Sequence, residues 1–208
     1  MLNNTYGLVV CGGQSTRMGT DKSMLTYYDK PQRYHLYDLL SPLCEKVFIS
    51  CNENQSGNIT GGYDYISDLP RYKKAGPIAS LLSAFEKYPT KNILLVGCDY
   101  PFLSENELGD FLNYCDAKNN AVSFCNKDDF YEPLLAWYPH HLSESLKVMV
   151  KVKQYSLQQF LRNCNAIKYR PNNQESLISI DTHEQYIKVL KEIKHEQPGW
   201  TDQYTKSN

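Results

Sequence analysis

The sequence predicts an α/β protein: a single domain on an open, mostly parallel twisted sheet flanked by helices, Rossmann-like in plan. Short apolar runs of strand length alternate from end to end with segments whose apolar residues recur at helical spacing. A chain of 208 residues lies near the upper part of the single-domain range and can bury one substantial core. No internal repeat and no Ser/Gly-rich linker divides it. The domain is therefore expected over residues 1–194. Residues 195–208, which contain Pro198 and Gly199 and lose the apolar period, are expected to fray.

The first strand is expected over residues 7–11, an apolar run that ends in Cys11. A helix follows, because Leu36, Leu39, Leu40 and Leu43 stand at i, i+3, i+4 and i+7. Strands at 46–51 and 63–66 lead to a second helix, where Ile78, Leu81, Leu82 and Phe85 repeat that spacing behind Gly76 and Pro77. Residues 92–96, apolar almost throughout, read as a strand. Ser104 with Glu107 forms a capping-box pattern ahead of Leu108, Phe111, Leu112 and Cys115. Strands at 121–124 and 134–137 come next. The stretch 148–170 is the least clear and carries one helical signal, Ser156 with Gln159 around Leu157, Phe160 and Leu161. A strand at 177–180 and a helix capped by Thr182 and Gln185, carrying Tyr186, Val189, Leu190 and Ile193, complete the domain. Asp99 and Asp181 thus each follow a strand end, and in open α/β sheets those ends line the ligand crevice.

Residues 11–23 read Cys-Gly-Gly-Gln-Ser-Thr-Arg-Met-Gly-Thr-Asp-Lys-Ser. Paired glycines after a strand allow a sharp turn in which successive N–H groups converge on a phosphate. Arg17 then supplies a fork for two phosphate oxygens and Lys22 a mobile point charge. Spacing excludes the better-known phosphate loops. A P-loop needs lysine directly after glycine, yet Thr20 and Asp21 separate Gly19 from Lys22. The dinucleotide fingerprint and the kinase glycine loop need G-x-G-x-x-G, yet Gly12 and Gly13 are contiguous.

Charge and cysteines narrow the classes further. A net charge of −1 with both signs scattered gives no field for binding nucleic acid. No apolar stretch approaches the ~20 residues that cross a bilayer, and the N-terminus lacks a signal-peptide pattern, so no membrane association and a cytoplasmic location are expected. The seven cysteines are odd in number and include no C-x-x-C pair, which favours reduced, buried thiols over metal or disulfides. Cys98 adjoins Asp99 but has no histidine near it in sequence to activate it as a nucleophile.

The pattern that fits is G-G-x-S-x-R-M-G-x-D-K over residues 12–22, and with it the chain resembles the molybdenum cofactor guanylyltransferases of the nucleotidyltransferase superfamily. Ser50-Cys51-Asn52, Ser67-Asp68, Ala75-Gly76-Pro77-Ile78, Cys98-Asp99-Tyr100-Pro101 and Ser179-Ile180-Asp181-Thr182 extend the resemblance from Leu8 to about Tyr186. It implies a fold like that of the nucleotide-diphospho-sugar transferases. It also implies an Mg²⁺-dependent transfer of GMP from GTP to molybdopterin carrying molybdenum, with release of pyrophosphate. Proteins that deliver molybdopterin, and chaperones of molybdoenzymes, would then be partners.

In that chemistry Arg17 and Lys22 are the catalytic candidates, gripping the triphosphate and meeting charge at the α-phosphate. Cys11, Gly12, Gly13, Lys22, Asn52, Asp68, Gly76 and Asp99 are the nucleotide-binding candidates, with Asp68 able to accept from guanine's N1–H and exocyclic amine together. Asp99 is the candidate magnesium ligand, delivered by a rigid apolar strand. Asp181 stands where the family commonly carries asparagine, and serves either as a second metal ligand or as a charge complementing the helix start. For the acceptor, the resemblance sets the segment Tyr131-Glu132-Pro133-Leu134 near the pterin pocket, and Lys151, Lys153 and Arg170 are either cations for its phosphate or, by default, solvated surface groups. The alternatives are a relative using CTP or another phosphorylated acceptor, and a noncatalytic nucleotide- or cofactor-binding protein.

Overall fold

A computed structural model of the protein describes residues 4–11, 21–52, 55 and 57–196. Among these, β1 (Thr5–Val10), β2 (Lys46–Cys51), β3 (Tyr65–Ser67), β4 (Asn92–Gly97), β5 (Val122–Cys125), β6 (Tyr131–Tyr138) and β7 (Ile167–Tyr169) form one sheet in the order β3-β2-β1-β4-β6-β5-β7. Neighbours are parallel except at β6, which runs against both β4 and β5. The expected mostly parallel sheet is therefore present.

Both faces of the central strands are buried, which explains their unbroken apolar runs. Leu8, Val10 and Leu95 face one cluster, which α2 (Pro77–Lys87) fills with Ile78, Leu81 and Phe85. Helices α4 (Ser143–Lys151) and α5 (Leu157–Asn163) extend it through Leu146 and Phe160. Val9, Ile49 and Val96 face the opposite cluster, closed by Leu36 of α1 (Gln32–Leu40) and Phe111 of α3 (Glu105–Cys115). The chain builds β2 and β3 on one side of β1 and then places the parallel β4 on the other, so the order of strand addition reverses between β1 and β4. A crevice opens above the strand ends at such a reversal.

The capping signals are realised. Ser104 Oγ accepts from Glu107 N and Ser156 Oγ from Gln159 N, each at 3.2 Å. At α6 (His183–Glu196) the box is reciprocal: Thr182 Oγ1 accepts from Gln185 N at 3.2 Å, while Gln185 Oε1 accepts from the backbone N–H groups of Asp181 and Thr182. Glu107 does not reach back in this way. It is buried and accepts from Tyr169 Oη and from the Asn172 and Asn173 N–H groups, pinning the chain after β7.

The strand expected at 177–180 is absent. Gln174–Leu177 is a 3-10 turn, and of the next residues Ile180 donates its N–H to the Asp99 carbonyl at 2.9 Å. β4 already has β1 and β6 as neighbours, so this segment finds no free edge to extend. The seventh strand is Ile167–Tyr169, inside the stretch left unclear by sequence. The third strand is displaced toward Ser67, because Tyr63 leaves the ladder to stack on Tyr34 at 4.4 Å and donate its hydroxyl to Asp38. A small third cluster joins Tyr27 to Ile180, Val189 and Ile193, and Tyr186 Oη donates to the Thr26 carbonyl. This fastens α6 to the segment that follows Lys22.

Candidate active site

Strands β1, β2 and β4 end level with one another: Val10 registers with Ser50 on one side and Gly97 on the other. Cys11, Asn52 and Asp68 directly follow β1, β2 and β3, and Asp99 follows Cys98 after β4, so the structure brings four of the expected site residues to one rim. Gly12, Gly13 and Arg17 lie outside the described residues.

Asp99 folds back over the end of its own strand. Its Oδ1 is buried with no hydrogen-bond partner among the described residues, and a Cβ on Gly97 would stand 2.6 Å from it. Burial pushes the Asp99 carboxyl up to about 6, opposed by its own N–H and by the Lys22 charge and reinforced by Asp181 and Glu132. A buried carboxylate oxygen without a donor is costly unless a cation or donor completes it. Sequence reasoning missed Gly97, because its need for a bare Cα arises only when the Asp99 side chain turns back.

Lys22 opens a 3-10 turn, Lys22–Met24, capped by Asp21, whose Oδ1 accepts from Ser23 N at 3.0 Å and Ser23 Oγ at 2.8 Å. The Lys22 ammonium lies 2.6 Å from Asp181 Oδ1. Two candidates separated by most of the chain thus meet directly. Asp21 Oδ2 also accepts from Gln55 Nε2 at 2.8 Å, and Gln55 exchanges hydrogen bonds with Asn52. The Lys22 turn and the Asn52 loop are therefore one hydrogen-bonded unit, a role for Asp21 and Gln55 that no local pattern announces.

Asp68 is half-buried beside β2. Its N–H donates to the Cys51 carbonyl and its Oδ1 accepts from Ser50 Oγ at 3.1 Å. Burial raises its carboxyl above the ordinary range, with the Ser50 and Ser80 hydroxyls pulling the other way. Gly76 precedes α2 at φ 56°, ψ −138°, a conformation that favours glycine, and a Cβ there would meet open space. Cys11 and Cys98 are buried with sulfurs 3.8 Å apart; that contact and burial push the Cys98 thiol upward, away from a thiolate nucleophile.

Glu132 on β6 accepts from Tyr100 Oη at 3.0 Å and Asn126 Nδ2 at 3.1 Å, and its charge bears on Asp99. Arg170 instead pairs with Asp129 at 2.7 Å, and Lys151 and Lys153 are exposed at the end of α4. Among the described residues no group of three or more His, Cys, Asp or Glu side chains forms a metal cage. Asp99 and Asp181 fit a hard cation of another kind, since Mg²⁺ takes one or two carboxylates and completes its shell with phosphates and water. Among the described residues no helix is long and apolar enough to cross a membrane.

A family model described as the MobA-like NTP transferase domain matches residues 7–168. The "Molybdenum cofactor biosynthesis bifunctional protein" of Synechocystis sp. is 31% identical over 196 residues, 88% of this chain and 53% of that protein, so the chain spans about half its length. The "Probable molybdenum cofactor guanylyltransferase" of Bacillus cereus is 24% identical over 198 residues, covering 91% of this chain and 98% of that one. Molybdopterin-guanine dinucleotide biosynthesis protein A from Archaeoglobus fulgidus has a similar fold, with a TM-score of 0.76 at 21% identity over 92% of this chain and all of that one.

Proposed function

The chain belongs to the MobA-like NTP transferase domain family, and from that premise we propose that it is a magnesium-dependent guanylyltransferase that joins GMP from GTP to molybdenum-bearing molybdopterin and releases pyrophosphate. The observation that carries the reading is the contact between Lys22 and Asp181, whose charges both bear on Asp99 at the β1/β4 reversal, where Asp99 Oδ1 has no partner among the described residues.

Each residue has a defined task. Lys22, on its capped turn, lays a positive charge against the triphosphate as charge builds at the α-phosphate. Asp99 and Asp181 would hold Mg²⁺, which when bound would supply neutralising positive charge to the phosphates. Asp68, steadied by Ser50, accepts from the two donors on guanine's edge, a pairing that cytosine and adenine do not offer. The hydrogen-bonded unit of Asn52, Gln55 and Asp21 couples the nucleoside side of the crevice to the Lys22 turn. Glu132 and Asn126 border the side from which the acceptor approaches Asp99. The acceptor phosphate attacks directly, without a covalent enzyme intermediate; burial and the Cys11 contact raise the Cys98 thiol, which argues against that residue as a nucleophile. Delivery of molybdopterin and collection of the product by cytoplasmic partner proteins belong to the same reading.

Turnover with GTP, CTP and ATP, each with Mg²⁺ and molybdenum-loaded molybdopterin, tests it through pyrophosphate release. Product with GTP alone is expected. Product with CTP alone would replace the guanine assignment, and nucleotide binding without pyrophosphate release would make the protein a noncatalytic carrier.

A further inference from the structure

Lys22 is the described cation best placed to meet a triphosphate, yet its ammonium is paired with Asp181 at 2.6 Å. The two partners are mounted differently. Lys22 rises from a capped turn with its side chain mostly covered, whereas the Asp181 side chain is 57% exposed. The Asp181 backbone is fixed: Gln185 Oε1 accepts from its N–H, and Ile180 ties the segment to the Asp99 carbonyl. Asp181 can therefore turn about its side-chain bonds without moving the chain. Beside a triphosphate an unpaired carboxylate is repelled, and beside a divalent cation it is attracted.

On the reading of the site as a nucleotidyltransferase, we infer that Asp181 makes nucleotide binding conditional on the metal: without a divalent cation it neutralises Lys22 and opposes the triphosphate, and with one it turns to the cation and yields Lys22 to the phosphate. A single rotation then supplies a cation to the phosphate and an oxygen to the metal. By linkage the metal must strengthen nucleotide binding by the same factor as the nucleotide strengthens metal binding.

The test is GTP binding by calorimetry at low ionic strength, in EDTA and in saturating Mg²⁺. It compares the wild-type protein, Asp181→Asn, Lys22→Ala and the double variant. Asp181→Asn, which is near-isosteric at an exposed site, should bind GTP about fivefold more tightly than wild type in EDTA, the scale of one partly exposed ion pair. In Mg²⁺ that advantage should vanish or reverse. In the Lys22→Ala background the EDTA gain should shrink to the part that comes from direct repulsion between the exposed carboxylate and the triphosphate. Equal metal-free affinity of wild type and Asp181→Asn overturns the inference. An undiminished gain in the Lys22→Ala background also overturns it, since Asp181 would then repel nucleotide without engaging Lys22. Failure of wild type to bind GTP, CTP or ATP under either condition removes instead the nucleotidyltransferase reading on which the inference rests.

Discussion

Gly97→Ala isolates the contribution of a single missing methyl group to the geometry of Asp99. The added Cβ would lie 2.6 Å from Asp99 Oδ1 and 3.1 Å from Leu134 Cβ. Ordinary contact begins near 3.4 Å, so the carboxylate must retreat by about 0.8 Å unless the strands separate. Leu134 Cβ is carried by β6, whose ladder with β4 resists movement, so most of the displacement falls on Asp99. Catalytic groups tolerate roughly 0.5 Å of displacement, and an error near 1 Å costs on the order of 10²-fold. Steady-state pyrophosphate release should therefore show kcat reduced by about 10²-fold with a higher Mg²⁺ requirement. The KM for GTP should stay within about threefold of wild type, because Lys22 and Asp68 are untouched. Overpacking should cost about 1–3 kcal/mol, a fall of several degrees in Tm. In the Asp99→Ala background the glycine substitution should cost no further activity. Normal kcat and magnesium dependence in a folded Gly97→Ala protein would refute the reasoning.

Lys22→Ala should lower kcat by about 10²–10³-fold, more than it weakens GTP binding, and single-turnover rates at saturating GTP would show the loss. Asp99→Asn should keep the fold by circular dichroism while losing metal-dependent turnover by at least about 10²-fold. Asp68→Asn should reduce the preference for GTP over inosine triphosphate, which lacks the exocyclic amine, by about tenfold in kcat/KM. Burial raises the Glu132 carboxyl above its ordinary value, so the folded protein holds that proton more tightly than the unfolded chain. Stability from this group is thus greatest below the unfolded value of about 4.5 and falls as pH rises through the raised folded one. Glu132→Gln should remove that fall, so the difference in Tm between variant and wild type should move in the variant's favour from pH 4 to pH 7.

The central strands were legible because β1, β2 and β4 are apolar on both faces, and burial on both faces leaves a continuous run that little else produces. β7 was illegible for the opposite reason: it is three residues long, sits at the sheet edge and carries Lys168 at its centre. Leu177 to Ile180 has strand composition, yet Ile178 is exposed and the backbone makes one strand-end bond in place of a ladder. Among site residues, Lys22 and Asp99 stood out because motif and strand end coincide. Gln55 and Glu132 act through partners 34 and 32 residues away, and no local spacing records such contacts.

The apolar footing of α6 on Tyr27 has a bearing on where the working enzyme stops. The family match closes at residue 168, yet Asp181, the counter-charge of Lys22, stands thirteen positions later, on a segment whose grip depends on Ile180, Val189 and Ile193. A chain cut at the domain's formal limit would keep six strands whole, clip the seventh before Tyr169 and forfeit an electrode of its own active centre. Any protein fused behind this unit must leave that last helix free to close over the tyrosine.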